Sequence, residues 1–174
     1  TYELTIKAFN LAEKFRTPVI LLMDEVIGHM RERIEIPDTP PVPIIDRKRP
    51  TGPKESYLPF DNSQGDVPPL ANFGEGYRFH VTGLIHDQNG FPTSAPAKVA
   101  ALQNRLQNKI QNHLDEILMW ETIDMEDAEV AVFAYGATAR SAARAVRIAR
   151  EQGIKVGLLR PITIWPFPDK LITE

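Results

Sequence analysis

Three places in the sequence carry residue types that could do chemistry, and His86-Asp87 is the first. Histidine can act as a general acid or base near neutral pH, and a carboxylate can orient its ring. Adjacent residues seldom orient each other, and the pair precedes the turn-forming dipeptide Asn89-Gly90. A turn-stabilising Asp87 beside an interface histidine is therefore the favoured interpretation, and a catalytic role for His86 and Asp87 is the sharper alternative.

The second place is the pair Glu25 and His29, one helical turn apart, after the apolar run 19–23. Parallel-sheet proteins bind ligands at the carboxyl ends of their strands, where this pair is expected to lie. Two side chains make a weak metal site. A solvated loop is thus the favoured interpretation, and we expect no metal site in this chain.

The third place is the turn Gly136-Ala-Thr138, between a predicted strand and a predicted helix. Backbone amides and the helix dipole at such a turn can bind an anion, so Gly136 and Thr138 are candidate cofactor-binding residues. No G-x-G-x-x-G or G-x-x-x-x-G-K-S/T pattern accompanies them. A strand–helix turn with a threonine cap is the favoured interpretation.

Composition narrows the classes of partner. The 174 residues are 43% apolar and 25% charged with a net charge of −3, so we expect neither a nucleic-acid nor a membrane partner. The chain has no cysteine, which excludes disulfides, a thiol nucleophile and iron–sulfur ligation by these residues. The lack of cysteine also fits a reducing cytoplasm, which is the expected location.

The predicted fold class is α/β, built from pieces of two parallel-sheet domains. Residues 1–36 are interpreted as the end of the first domain, because apolar residues recur at helical spacing from Leu4 to Phe15. The continuous apolar run 19–23 is typical of a strand buried on both faces of a parallel sheet.

Residues 37–93 are interpreted as an extended, proline-rich linker with hairpins. Eleven of the 15 prolines lie between Pro37 and Pro96, which favours extended chain over packed helix. Residues 77–82 alternate with the period of a strand, and Asn89-Gly90 predicts a tight turn. The aromatic side chains of the linker indicate that it packs against other parts of the protein.

Residues 94–121 are predicted as one long connecting helix, because apolar residues recur at helical spacing from Val99 to Leu118. The opposite face of this helix is rich in glutamine and asparagine.

Residues 122–174 are predicted as the start of the second α/β domain. Within them, 128–160 reads as a strand–helix–strand unit with a buried strand at 130–135, an alanine-rich helix and a second strand at 155–159. The whole chain holds fewer buried-type strands than a parallel sheet covered on both faces needs. We therefore expect it to be an internal piece of a larger subunit.

The segment Arg160-Pro-Ile-Thr-Ile-Trp-Pro-Phe-Pro168 follows the last predicted strand. Proline cannot donate to a sheet ladder, so the segment does not continue as a central strand. Large apolar side chains on a stiffened backbone lose little entropy on binding, which is typical of a docking element. We predict that Ile164, Trp165 and Phe167 lie in an interface.

This aromatic segment, with Ala134-Tyr-Gly-Ala-Thr138 before its helix, resembles the transketolase C-terminal-like domain of the α subunit of 2-oxoacid:ferredoxin oxidoreductases, most closely the 2-oxoglutarate type. The opening Tyr2-Glu-Leu-Thr-Ile-Lys-Ala-Phe-Asn-Leu-Ala-Glu-Lys14 is similar to the last helix of that subunit's pyrimidine-binding domain. Val81-Thr-Gly-Leu, with His86-Asp87 after it, resembles the inter-domain linker. The resemblance keeps its order over essentially the whole chain.

The resemblance implies an oxidoreductase that decarboxylates a 2-oxoacid, with 2-oxoglutarate as the implied substrate and succinyl-CoA as the product. It implies thiamine diphosphate with magnesium, coenzyme A as cosubstrate, and an iron–sulfur cluster that passes electrons to ferredoxin. It also implies a hetero-oligomer whose β subunit holds most of the cofactors, so that this segment binds none of them alone and is mainly structural.

Parts of the family pattern have no counterpart here. The family's Tyr-Pro-Ile-Thr-Pro motif and its carboxylate-recognising arginine segment are not among these residues. Ile85 stands where the family has an acid before His-Asp, which weakens any role for that loop.

Two other interpretations stay open. One is a transketolase-like domain of another thiamine enzyme, a 2-oxoacid dehydrogenase or synthase that uses no ferredoxin. The other is a non-catalytic module that organises subunits. The proline-rich crossover followed by a glutamine-rich helix favours the ferredoxin-linked oxidoreductase over the first of these.

Overall fold

The computed structural model describes residues 1–173, and the chain divides into two compact units. Unit 1 comprises Thr1–Leu21 and Ile34–Asn112, and unit 2 comprises Leu22–Arg33 and His113–Glu174. The elements follow in the order α1 (Tyr2–Phe15), α2 (Glu25–His29), a 3₁₀ turn (Lys54–Ser56), α3 (Pro96–Gln111), α4 (Leu114–Ile117), β1 (Trp120–Ile123), β2 (Val130–Phe133), α5 (Thr138–Glu151), β3 (Val156–Pro161) and α6 (Asp169–Thr173). Across the described residues, no helix is both long enough and apolar enough to span a bilayer.

In unit 1, the extended linker is held against α1 by polar contacts. The buried side chain of Asn10 donates to the Pro43 carbonyl at 2.7 Å and accepts from the Ile45 amide at 2.9 Å. The Arg47 guanidinium forms a two-pronged ion pair with Glu13 and lowers the pKa of that carboxyl. The prediction that the linker packs on other parts of the protein is therefore confirmed.

The middle of the linker is ordered by ring contacts, and the strand predicted at 77–82 is wrong. Those residues carry no strand, and Tyr77 instead packs edge-on against Tyr57 with ring centroids 5.1 Å apart. A strand needs a hydrogen-bonded neighbour, and aromatic packing has replaced that pairing here. The tight turn predicted at Asn89-Gly90 is confirmed, because Gly90 has φ 87° and the Asp87 amide donates to the Phe91 carbonyl at 3.0 Å.

The long helix predicted over 94–121 is present only in part. α3 begins at Pro96 and ends at Gln111, after which α4 adds a single turn. From Trp120 the chain is a strand, paired antiparallel with β3 so that Trp120 lies opposite Pro161. Sheet hydrogen bonds to a distant strand set the conformation of Trp120 and Glu121, where a helix was predicted, and a local sequence pattern cannot anticipate such pairing.

Unit 2 is built on a sheet in the order β1-β3-β2, with β3 at its centre. β2 and β3 pair in parallel and α5 connects them, which confirms the predicted strand–helix–strand unit and the α/β class. The small side chains of α5 pack on the sheet, as predicted. The core cluster contains Ala134, Ala139, Val146, Val156 and Leu158.

Two predicted buried strands differ from the structure. The run 19–23 has no strand pairing among the described residues, and Ile20 is 81% exposed. β2 is shorter than the predicted 130–135 and is largely exposed, because it lies at the edge of the sheet with β3 as its one neighbour among the described residues. Both segments were predicted to be buried because their residues are apolar. Burial also requires neighbouring strands or helices, and a local sequence pattern does not show whether these are present. The predicted domain boundaries stay a prediction.

Candidate functional site

The two catalytic candidates, His86 and Asp87, lie at a cavity of about 340 Å³ in unit 1. The turn 86–89 forms one wall of this cavity. Other lining residues are Phe60, Asn62, Lys98, Leu102 and Arg105.

The ring of His86 is held by stacking and by one backbone contact. Its centroid lies 3.8 Å from that of Phe60, and its Nδ1 lies 3.1 Å from the backbone oxygen of Asp87. Because a carbonyl oxygen only accepts, Nδ1 is the donor in this contact. The Asp87 carboxylate does not orient the ring, and a catalytic role for His86 stays a prediction.

The Asp87 carboxylate is engaged within its own turn. Its Oδ1 accepts from the Asn89 amide at 3.0 Å, and its Oδ2 lies 3.5 Å from Nζ of Lys98. Desolvation raises the pKa of Asp87, but the Asn89 amide and Lys98 outweigh it and hold that pKa below its usual value. This geometry agrees with the turn-stabilising interpretation, and a catalytic role for Asp87 stays a prediction.

The cations of α3 are the residues that the sequence analysis missed. Lys109 is 4% exposed, and its Nζ donates to the Arg16 carbonyl at 3.1 Å. Burial, reinforced by Arg105 and Arg16, lowers the pKa of Lys109 to about 8. Their spacing in the sequence could have revealed them. Lys98, Arg105 and Lys109 fall on the same helical face as Leu102, which is apolar.

In unit 2, the turn predicted to bind an anion holds a carboxylate of the chain itself. Oδ2 of Asp24 accepts a hydrogen bond from the Ala137 amide at 2.8 Å. Gly136 has φ 61°, and a Cβ at this position would lie 3.1 Å from the same oxygen. The turn can therefore bind an anion, and Asp24 already fills that position. Cofactor binding by Gly136 and Thr138 stays a prediction, and any such ligand has to displace Asp24.

The other acidic candidate is a solvent-exposed pair. Nε2 of His29 lies 3.5 Å from Oε1 of Glu25, and the two side chains are 78% and 90% exposed. An exposed pair of this kind contributes little stability. Within residues 1–173, no group of three or more His, Cys, Asp or Glu side chains is placed to hold a metal ion.

The predicted interface residues lie on an apolar surface of unit 2. Trp165 is 69% exposed, and Ile164 and Phe167 are exposed as well. Phe167 contacts Phe133 with ring centroids 6.2 Å apart, which extends the surface to the edge strand β2. In β3, Nε of Arg160 is buried and has no hydrogen-bond partner among the described residues. Exposed apolar side chains in one patch are typical of an interaction site, and the interface role stays a prediction.

Comparison with known families gives two matches along the chain. Residues 1–105 match the family model of the thiamine diphosphate-binding region of pyruvate flavodoxin/ferredoxin oxidoreductases. Residues 128–174 match core domain II of pyruvate:ferredoxin oxidoreductase.

Individual proteins similar to this chain are named as subunits of 2-oxoglutarate synthase or of ketoisovalerate oxidoreductase. The chain is 46% identical to 2-oxoglutarate synthase subunit KorA of Methanothermobacter thermautotrophicus, over 97% of this chain and 44% of that protein. It is 44% identical to the subunit of the same name from Methanocaldococcus jannaschii, over 99% of this chain and 46% of that protein. Ketoisovalerate oxidoreductase subunit VorB of Methanothermobacter marburgensis is 34% identical over 99% of this chain and 41% of its own length. The chain thus spans less than half of the curated relatives it matches.

A solved structure also resembles this one. It is 2-oxoglutarate:ferredoxin oxidoreductase from Magnetococcus marinus with 2-oxoglutarate, coenzyme A and succinyl-CoA bound. The TM-score is 0.85 at 28% identity, over 98% of this chain and 30% of the matched chain.

Proposed function

Because the chain belongs to the pyruvate flavodoxin/ferredoxin oxidoreductase family, we propose that it is part of the α subunit of a 2-oxoacid:ferredoxin oxidoreductase. The observation that carries the proposal is the 46% identity to a 2-oxoglutarate synthase subunit over 97% of this chain. The order of the two family matches along the chain agrees with the order that the resemblance predicts.

The proposed substrate is 2-oxoglutarate. In the overall reaction its C1–C2 bond breaks and releases CO₂, and C2 forms a thioester with the sulfur of coenzyme A. The electron pair released by this oxidation goes to ferredoxin, and the thiol proton goes to solvent. Identities of 46% and 44% to the 2-oxoglutarate synthase subunits of the two methanogens, against 34% to the ketoisovalerate oxidoreductase subunit, support this choice of 2-oxoacid.

The residues of this chain do not fit the metal-dependent cofactors of the proposed enzyme. The chain has no cysteine for an iron–sulfur cluster. The described residues present no acidic cluster for the magnesium that accompanies thiamine diphosphate. We therefore assign the iron–sulfur cluster and the magnesium ion to other parts of the assembly, chiefly the β subunit.

The role proposed for this segment is mainly structural. The exposed apolar surface around Trp165 and Phe167 is assigned to contact with the β subunit or with a neighbouring domain. The extended linker is assigned to connecting the two α/β domains, with its polar contacts to α1 holding one end in place.

The proposal is tested on the full-length subunit purified anaerobically with its partner. We expect coenzyme A-dependent reduction of ferredoxin with 2-oxoglutarate, at a higher kcat/KM than with 2-oxoisovalerate or pyruvate. We also expect the cysteine-bearing partner to show an iron–sulfur absorption spectrum.

Two results distinguish the alternatives. A thiamine-containing complex without iron identifies another class of thiamine enzyme. Preference for 2-oxoisovalerate keeps the family assignment and overturns the substrate.

A further inference from the structure

The cavity beside α3 in unit 1 has a cationic lining that neither the fold nor the turn at 86–89 requires. Arg105 lines the cavity and makes one hydrogen bond, to the Asp66 carbonyl at 3.3 Å. A guanidinium offers five N–H donors in a fixed fork. The remaining donors of this half-buried side chain have no protein acceptor among the described residues.

Other cations surround Arg105. Lys98 lies at the rim of the cavity with 57% of its side chain exposed. Behind the lining, Arg16 sits 4.6 Å from the centroid of the Phe60 ring, and Lys109 donates to the Arg16 carbonyl. These positive charges are close enough to repel one another. Burial is the largest cause that lowers the pKa of Arg16 and of Lys109, and the charge of Arg105 lowers both further.

The nearby carboxylates are already engaged. Asp87 accepts from the Asn89 amide and pairs with Lys98, and Asp66 accepts from the Asn112 side chain at 3.0 Å. Among the charged side chains that line the cavity, Lys98 and Arg105 are positive and Asp87 is negative, which leaves an excess of positive charge. Neutral amide side chains of the lining, at 62, 88 and 89, add further donors. Such a set of donors suits an anion with several oxygens better than a single carboxylate.

We propose that this cavity binds a phosphate group of coenzyme A, with Arg105 as the principal contact and Lys98 at the rim. The choice of coenzyme A rests on the proposed function, in which it is the cosubstrate. A cavity of about 340 Å³ is large enough for a phosphate or diphosphate group, and the cationic lining holds such a group without a bridging metal ion.

The test is titration calorimetry on the assembled, full-length enzyme, with coenzyme A, inorganic pyrophosphate and 2-oxoglutarate as separate probes. Arg105→Gln is expected to weaken coenzyme A and pyrophosphate binding at least about tenfold, because a charge-assisted hydrogen bond is lost. Lys98→Gln is expected to weaken both about two- to fivefold, because its charge is exposed. The matched control is Arg78→Gln, which removes an exposed charge in the same unit away from the cavity lining.

Each other outcome overturns the proposal. Unchanged coenzyme A binding in Arg105→Gln, or in Lys98→Gln if the first variant fails to assemble, shows that no phosphate binds here. Weaker binding of 2-oxoglutarate alone assigns the cavity to a carboxylate and refutes a phosphate site. Binding is read without turnover, so an enzyme that uses another 2-oxoacid refutes the proposed substrate and leaves this test intact.

Discussion

Asp24 and Ala137 are 113 residues apart, yet Oδ2 of Asp24 accepts a hydrogen bond of 2.8 Å from the Ala137 amide. α5 begins at Thr138 without a side-chain cap of its own. A carboxylate from a distant segment thus satisfies an amide at the helix N-terminus and complements the helix dipole. Both residues belong to unit 2, so this bond ties its early segment, Leu22–Arg33, to its later one, His113–Glu174.

Asp24→Ala is expected to destabilise unit 2 by about 0.5–1 kcal/mol, at the lower end of cap losses because the contact is exposed. Asp24→Asn keeps an acceptor oxygen and should lose less. The measurement is chemical denaturation of the full-length subunit. Glu25→Ala is the control, since its exposed side chain pairs only weakly with His29. An equal loss in Glu25→Ala contradicts the capping role of Asp24.

Gly136→Ala is expected to cost about 1–2 kcal/mol, because an L-residue is strained in the left-handed region. Gly136 has φ 61°, and the added Cβ would also press on Asp24 Oδ2 at 3.1 Å. A double-mutant cycle with Asp24→Ala separates the two causes. The backbone strain persists in the double mutant, while the close contact does not. Full additivity would show that the contact with Asp24 costs nothing.

The strand–helix–strand unit of unit 2 was predictable because its information is local. Alanines at helical spacing, a glycine after α5 and flanking apolar runs encode β2, α5 and β3 within about one supersecondary unit. Trp120 and Ile20 show the limit. Trp120 is in a strand because Pro161 pairs with it, and Ile20 is exposed because no strand among the described residues pairs with its segment.

The candidate sites also differ in whether local sequence predicts them or contacts between distant segments form them. Asn89-Gly90 predicts its turn from two adjacent residues, and the turn then explains the bond to the Asp87 carboxylate. The carboxylate at the turn of Gly136 comes from Asp24, and the residues around the turn do not predict this distant partner. Arg105 is a candidate binding residue because it lines a cavity. That cavity forms only where the linker packs beside α3, so the sequence around Arg105 does not predict it.

Trp165→Ala is expected to weaken association with the proposed β subunit by about 2 kcal/mol or more, as truncation of an interface tryptophan does. The stability of the isolated subunit should change by less than about 0.5 kcal/mol, since the side chain is 69% exposed. Analytical ultracentrifugation measures association, and Ile154→Ala, exposed elsewhere in unit 2, is the control. Unchanged association with lost turnover refutes the interface role.

Lys109 gives unit 1 a predictable dependence on pH. Burial, with Arg105 and Arg16, lowers the pKa of Lys109 from 10.5 to about 8 in the folded state. Between these values the unfolded chain holds a proton that the folded chain has released, so stability rises with pH across that window. Below pH 8 the cost of burying the charged amine is present in full.

Lys109→Met removes the titrating amine and keeps most of the buried stem. The free energy of unfolding of the wild type, relative to that of Lys109→Met, should therefore increase by about 2 kcal/mol between pH 7 and pH 10. Chemical denaturation of the full-length subunit at both pH values measures the difference, and other titrating groups cancel in the comparison. Lys155→Met is the control, because its exposed side chain pays no burial cost. If the wild type and Lys109→Met respond equally to pH, the amine is solvated in the folded protein and the helix face at Lys109 is open to water.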